Sequence, residues 1–244
     1  MDIRIFETRE DVAAAAARRV VEAIHARPNL VLGVPAGQTP VPVYEELRRL
    51  HRTAGVDFSG ITCFTIDEFL GLERTHPSSF RRFLEEHLFS GINVDPRRVH
   101  SLNGAADDVE GECQNYERMI DAAGGIELQI LGLGRNGHIG FNEPADVLVA
   151  RTHRATLHAD TRRDNAARFG GNPDCVPLEA LSMGIGTILA ARQLLLIATG
   201  EAKAGPVEQS VRGGVTTRVP ASMLQLHSDV ELYLDRPAAS RLHT

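Results

Sequence analysis

Cysteine is scarce: the 244-residue chain has three, Cys63, Cys113 and Cys175, widely spaced and odd in number. That excludes a disulfide framework and fits a reducing compartment. Each reads as a small buried hydrophobe rather than a nucleophile or metal ligand. Long apolar runs are also missing, since none approaches the roughly 18 to 20 residues that a membrane helix needs. The start, Met1-Asp2-Ile3-Arg4-Ile5-Phe6, has no charged segment followed by an apolar one. No membrane span and no signal peptide are therefore expected, and the cytoplasm is the default location. There is no basic excess: 26 basic against 32 acidic side chains leave a net charge of −6. Nucleic acid and anionic membrane are thereby disfavoured as main partners, although a local basic pocket is still allowed. The segment Gly37-Gln38-Thr39 is neither a GxGxxG fingerprint nor a Walker loop, so it does not imply a nucleotide. His153 and His158 lack a compact ligand spacing, and no metal is expected.

What is present is ordinary for a globular protein, with 43% hydrophobic and 24% charged residues. The length suits one large α/β domain spanning residues 1–244. Short apolar runs alternate with helical patterns. Strands are expected at Leu30–Val34, Ile61–Ile66, Leu128–Leu133, Leu194–Ala198 and Val230–Leu234. Helices are expected at Asp11–Ile24, Pro40–Leu50 (with Thr39 as N-cap and Pro40 at the first position), Ser78–Leu88, Val109–Ala122 and Ala180–Ala190, with another carrying Lys203. Continuous apolar strands separated by helices predict an open, mostly parallel twisted sheet covered on both faces, Rossmann-like. The polar, Arg-rich stretch 151–175, with Gly170-Gly171-Asn172-Pro173 near its end, is the candidate lid.

In such sheets ligands bind beyond the carboxyl ends of the strands. Several of these ends carry suitable chemistry. Gly37-Gln38-Thr39 at a helix start offers N–H groups, a hydroxyl and a positive helix end to a phosphate, or is an ordinary capped turn. Asp67, at the end of an apolar run, is either a partly dehydrated general base or a capping or salt-bridged acid. His138 lies between glycines in a predicted loop, and histidine is the side chain type that can both give and take a proton in one cycle. Asn136 and Glu143 are placed to fix its tautomer and orientation. Arg168 in the lid and Lys203 near a helix start are candidate cations for a phosphate, or solvated surface charges.

Several segments make the chain recognisable. Leu32-Gly33-Val34-Pro35, Phe64-Thr65-Ile66-Asp67-Glu68-Phe69, His76-Pro77-Ser78-Ser79-Phe80, Ser101-Leu102-Asn103-Gly104 and the highly specific Gly137-His138-Ile139-Gly140-Phe141-Asn142-Glu143-Pro144 resemble the glucosamine-6-phosphate deaminase family. So do Arg151-Thr152-His153, Met183-Gly184-Ile185-Gly186 and Pro220-Ala221-Ser222-Met223-Leu224-Gln225, in order over nearly the whole chain. The resemblance implies an aminosugar-phosphate substrate, glucosamine 6-phosphate, converted to fructose 6-phosphate and ammonia without metal or organic cofactor. It implies that His138, oriented by Glu143, assists ring opening, that Asp67 shuttles a proton between C2 and C1, and that Gly37, Gln38, Thr39, Arg168 and Lys203 hold the phosphate.

Three departures stand out. Bulky Gln38 replaces the family's usual small residue in the phosphate loop, Asn136 stands where some members have aspartate, and His153-Arg154-Ala155 replaces the basic stretch of members activated by N-acetylglucosamine 6-phosphate. No such activation, and a monomer or small homo-oligomer, are therefore expected. The alternatives are a 6-phosphogluconolactonase-like hydrolase and a non-catalytic sugar-phosphate sensor. The sensor would need a DNA-binding module that this acidic chain does not offer.

Overall fold

The computed structural model describes residues 1–242. Seven strands form one parallel sheet: β1 (Asp2–Phe6), β2 (Val31–Val34), β3 (Thr62–Thr65), β5 (Val99–His100), β6 (Leu128–Gly132), β9 (Gln193–Ala198) and β10 (Val230–Asp235). Their order is β1-β10-β9-β6-β2-β3-β5. Three more, β4 (Asp67–Phe69), β7 (His153–Thr156) and β8 (Glu179–Ser182), form a small antiparallel sheet in the order β4-β8-β7. The α-helices are α1 (Arg9–Ala26), α2 (Val41–Ala54), α3 (Phe80–His87), α4 (Val109–Ala122), α5 (Ala159–Asn165), α6 (Ile185–Leu189) and α7 (Ala204–Arg212).

The central strands read as unbroken apolar runs because both of their faces are covered. Two apolar clusters do the covering. One packs α1 and α2 against β2 and β3 through Val20, Tyr44, Leu47 and Phe58. The other packs α4, α6 and α7 through Tyr116, Ile120, Ile188 and Val207. Local signals set the helix starts: Thr8 and Asp11 form a reciprocal capping box before α1, and Ser79 and Asp108 cap α3 and α4.

From β2 the chain steps outward to β3 and β5, and from β6 it steps the other way to β9 and β10. The order reverses between β2 and β6, where a parallel sheet opens a crevice at its carboxyl end. These two strands pair only at Leu32–Leu128 and Gly33–Gln129, whereas β6 and β9 stay paired as far as Gly132.

The predicted parallel α/β architecture is present, with several corrections of detail. Asp67 follows the β3 run, as expected, but belongs to a further strand. One residue, Ile66, separates β3 from β4, so Asp67 opens a strand of the second sheet, opposite Ser182. Thr39 does not cap α2; Pro40 holds the N-cap position and no side chain caps it. Ala180–Ala190 is not one helix, because β8 ends at Ser182 and α6 starts at Ile185 after Gly184. A Cβ on Gly184 would lie 2.2 Å from the Arg151 carbonyl, so close backbone packing forces the break. Cys175 is exposed, unlike Cys63 and Cys113. Residues 151–175 are not a bare loop: they hold β7 and α5 and close a third apolar cluster, in which Ala155, Leu157 and Ala166 meet Phe69, Phe80 and Phe141.

Candidate active site

The carboxyl ends of β2, β3, β6 and β9 meet at one cleft of about 550 Å³. Gly37, Gln38, Thr39, Asp67, Arg135, His138, Arg168 and Lys203 all line it. Asp67 and His138 are its candidate proton carriers.

Asp67 is 8% exposed. Burial, with the adjacent charge of Glu68, pushes its carboxyl up to about 8, against a smaller opposing pull from Arg168. An acid that titrates there can take and return a proton near neutral pH. Glu68 has a different task. Its carboxylate accepts from the backbone N–H groups of Phe69, Phe80 and Arg81 and from the Ser79 hydroxyl. It thereby fastens the N-terminus of α3 to β4, beside Asp67.

The imidazole belongs to a tight loop after β6. Asn136 Oδ1 lies 2.7 Å from His138 Nδ1 and also accepts the His138 backbone N–H at 3.1 Å. An amide oxygen can only accept, so Nδ1 carries the proton and Nε2 has the lone pair. Asn136 Nδ2 donates to Glu143 Oε2 at 2.7 Å, while that oxygen stands 3.6 Å from His138 Nδ1. Asn136 therefore makes the direct bond to the ring, and Glu143 bonds Asn136. Burial alone would raise the Glu143 carboxyl, but His138, Thr161 and Asn136 outweigh it and hold it down at about 2. Gly134 is needed for packing, since a Cβ there would come within 2.3 Å of the His138 ring.

The anion-binding candidates share the same walls. Gly37 has φ of +115°, a backbone conformation that favours glycine in the turn after β2. The Arg168 guanidinium carbon sits 4.1 Å from the Phe83 ring centre and 5.1 Å from that of Phe80, and the Ser78 hydroxyl donates to its backbone carbonyl at 2.6 Å. Arg168 is therefore not a solvated surface charge. Its Nη2 is buried without a hydrogen-bond partner among the described residues, and such an orphan donor in a cleft suits an anionic ligand. Lys203, at the N-cap of α7, is pulled down by burial and by Arg135, against the opposing charge of Asp164.

Arg135, Asp164 and Thr161 were absent from the sequence-derived set. Arg135 Nε lies 3.4 Å from Asp164 Oδ1 across the cleft, and Thr161 Oγ1 lies 3.4 Å from His138 Nδ1. Arg135 could have been read from its place beside Asn136. No sequence signal marks the other two, which lie in a mostly polar stretch. Among the described residues, no three His, Cys, Asp or Glu side chains cluster so as to hold a metal ion, and no helix is long and apolar enough to cross a membrane.

Comparison with known proteins shows the family and the fold. Residues 7–233 match the family model for glucosamine-6-phosphate isomerases/6-phosphogluconolactonase. A glucosamine-6-phosphate deaminase of Alkaliphilus oremlandii is 47% identical over 242 residues, covering 99% of this chain and all of its own. Glucosamine-6-phosphate deaminase 1 of Giardia intestinalis is 46% identical over 228 residues, covering 93% and 86%. A solved monomeric glucosamine-6-phosphate deaminase superposes with a TM-score of 0.96 at 42% identity, over 99% of this chain and 100% of that one. The 6-phosphogluconolactonase of Trypanosoma brucei shares the fold alone, with a TM-score of 0.75 at 19% identity over 99% and 98%. By the family match and by full-length identity above 40%, the chain belongs to the glucosamine-6-phosphate isomerase/6-phosphogluconolactonase family.

Proposed function

We propose that this protein converts glucosamine 6-phosphate and water into fructose 6-phosphate and ammonia. The observation that carries the reading is the meeting, in one cleft, of a carboxyl titrating near 8, an aligned imidazole and a buried guanidinium with an orphan donor. The full-length similarity to deaminases supports it. In this scheme Arg168, Lys203 and the Gly37-Gln38-Thr39 turn hold the phosphate. His138 Nε2 takes the proton of the anomeric hydroxyl and returns it to the ring oxygen, opening the ring. Asp67 then removes the C2 proton and delivers it to C1, leaving a C=N bond at C2. Water adds at C2 and the C–N bond breaks, releasing ammonia and the ketose phosphate. The reaction consumes one water, so it is a hydrolysis driven through an isomerisation.

The protein acts in this reading as a cytoplasmic monomer or small homo-oligomer of one domain, with segment 151–175 as its lid. N-acetylglucosamine 6-phosphate leaves its kinetics unchanged, which a titration of rate against that compound checks. The function is tested by offering glucosamine 6-phosphate, galactosamine 6-phosphate and 6-phosphogluconolactone and measuring ammonia, ketose phosphate and lactone loss. Ammonia and ketose phosphate in equal amounts are expected, and lactone hydrolysis without ammonia release would overturn the proposal.

A further inference from the structure

Thr161 is the one α5 residue withdrawn from solvent, at 1% exposure. A valine would fill that volume equally well, and a buried hydroxyl costs stability unless it is bonded. Here Oγ1 lies 3.4 Å from His138 Nδ1, and the hydroxyl is among the groups that hold the Glu143 carboxyl down. Just before α5, the His158 backbone N–H donates to Glu143 Oε1 at 3.2 Å. The His158 backbone therefore grips the far oxygen of a carboxylate whose near oxygen Asn136 holds, with Thr161 on the His138 side.

Glu143 also stands between two imidazoles, with Oε2 3.6 Å from His138 Nδ1 and 3.8 Å from His158 Nδ1. These distances barely differ, so the two rings alone would leave the carboxylate's orientation poorly determined. The Asn136 amide, 2.7 Å from the same oxygen, and Thr161 beside His138 both favour the His138 side. We propose that Thr161 is a positioning residue for ring opening: its hydroxyl bridges His138 and Glu143 and keeps the carboxylate turned toward the working imidazole, so the relay is aligned only when α5 is seated. This inference rests on the deaminase reading.

Thr161 does not line the cleft, so substrate affinity should not depend on it. A hydrogen bond to a charged group contributes about 1.5–3 kcal/mol, which corresponds to roughly 10- to 100-fold in rate. The test is steady-state ammonia release from glucosamine 6-phosphate by the wild type, Thr161→Val and Thr161→Ser. The valine variant should lose about 10- to 100-fold in kcat with KM within about 2-fold, and serine should restore most of the loss. If valine impairs folding, Thr161→Ala is read by the same split. An unchanged kcat, a KM that rises in step with the loss, or a serine variant no better than valine would overturn the proposal. A wild type that releases no ammonia would instead defeat the deaminase reading, and this inference with it.

Discussion

Replacing Asp67 by asparagine should make the protein more stable and nearly inactive, with both effects traceable to the same buried carboxyl. In the folded chain this group titrates near 8 instead of at its ordinary 3.8. Below about pH 4 it is protonated whether the chain is folded or not, and it makes no difference to stability. From there to about 8 the unfolded chain releases the proton while the native state retains it. The native state binds more protons in this window, so stability falls as pH rises and levels off above 8. At 1.36 kcal/mol per unit, the interval from 3.8 to pH 7 amounts to about 4 kcal/mol. Asparagine has nearly the same shape and cannot ionise, so it should abolish the slope.

Urea unfolding of both proteins at pH 5, 6, 7 and 8 measures this. The advantage of Asp67→Asn should widen by roughly 1 kcal/mol per pH unit. The wild-type kcat/KM, which reports the free enzyme, should rise with pH through about 8, and the variant should lose about 10²- to 10⁴-fold. A stability difference that stays constant across the pH range, or a variant less stable than the wild type at pH 8, would refute the reasoning.

Arg168→Ala removes the orphan guanidinium, and KM should rise about 10- to 100-fold with a smaller change in kcat; an unaltered KM would remove Arg168 from the phosphate site. Asp164→Asn removes a negative charge that faces Lys203, so phosphate affinity should improve by a few-fold at most, as a KM or inorganic-phosphate inhibition measurement would show. Phe69→Ala empties the centre of an aromatic group in which Phe69 meets Phe80, Phe141 and Phe169 at 4.7, 5.4 and 5.2 Å between ring centres. It should cost about 3–5 kcal/mol in urea unfolding.

The parts of this fold legible in the sequence are those whose pattern has a local cause. Val31–Val34 and Gln193–Ala198 are buried on both faces and read directly as apolar runs, and α4 starts at the Asp108 cap. The convergence of strand ends on one cleft follows from parallel topology, so Gly37, Asp67, His138 and Lys203 could be grouped without coordinates. Elements defined by a neighbour were not legible. β7, His-Arg-Ala-Thr, is a polar strand that exists because β8 pairs with it and because Arg154 bonds Glu179. β1 is a sheet edge with mostly exposed side chains, and β5 is only two residues long. Thr161 belongs to the same class, because its burial depends on where α5 docks.

One row of the small sheet runs from Asp67 through Ser182 to His153. In the proposed reaction, the base Asp67 and the root of the 151–175 lid are thus paired in a single plank, joined to the main sheet through Ile66 on the Asp67 side. If the plank tilts, the carboxylate swings with the cover instead of waiting beneath it. Admission of the sugar and delivery of the base would then be one motion, and a substitution along that row would disturb both together.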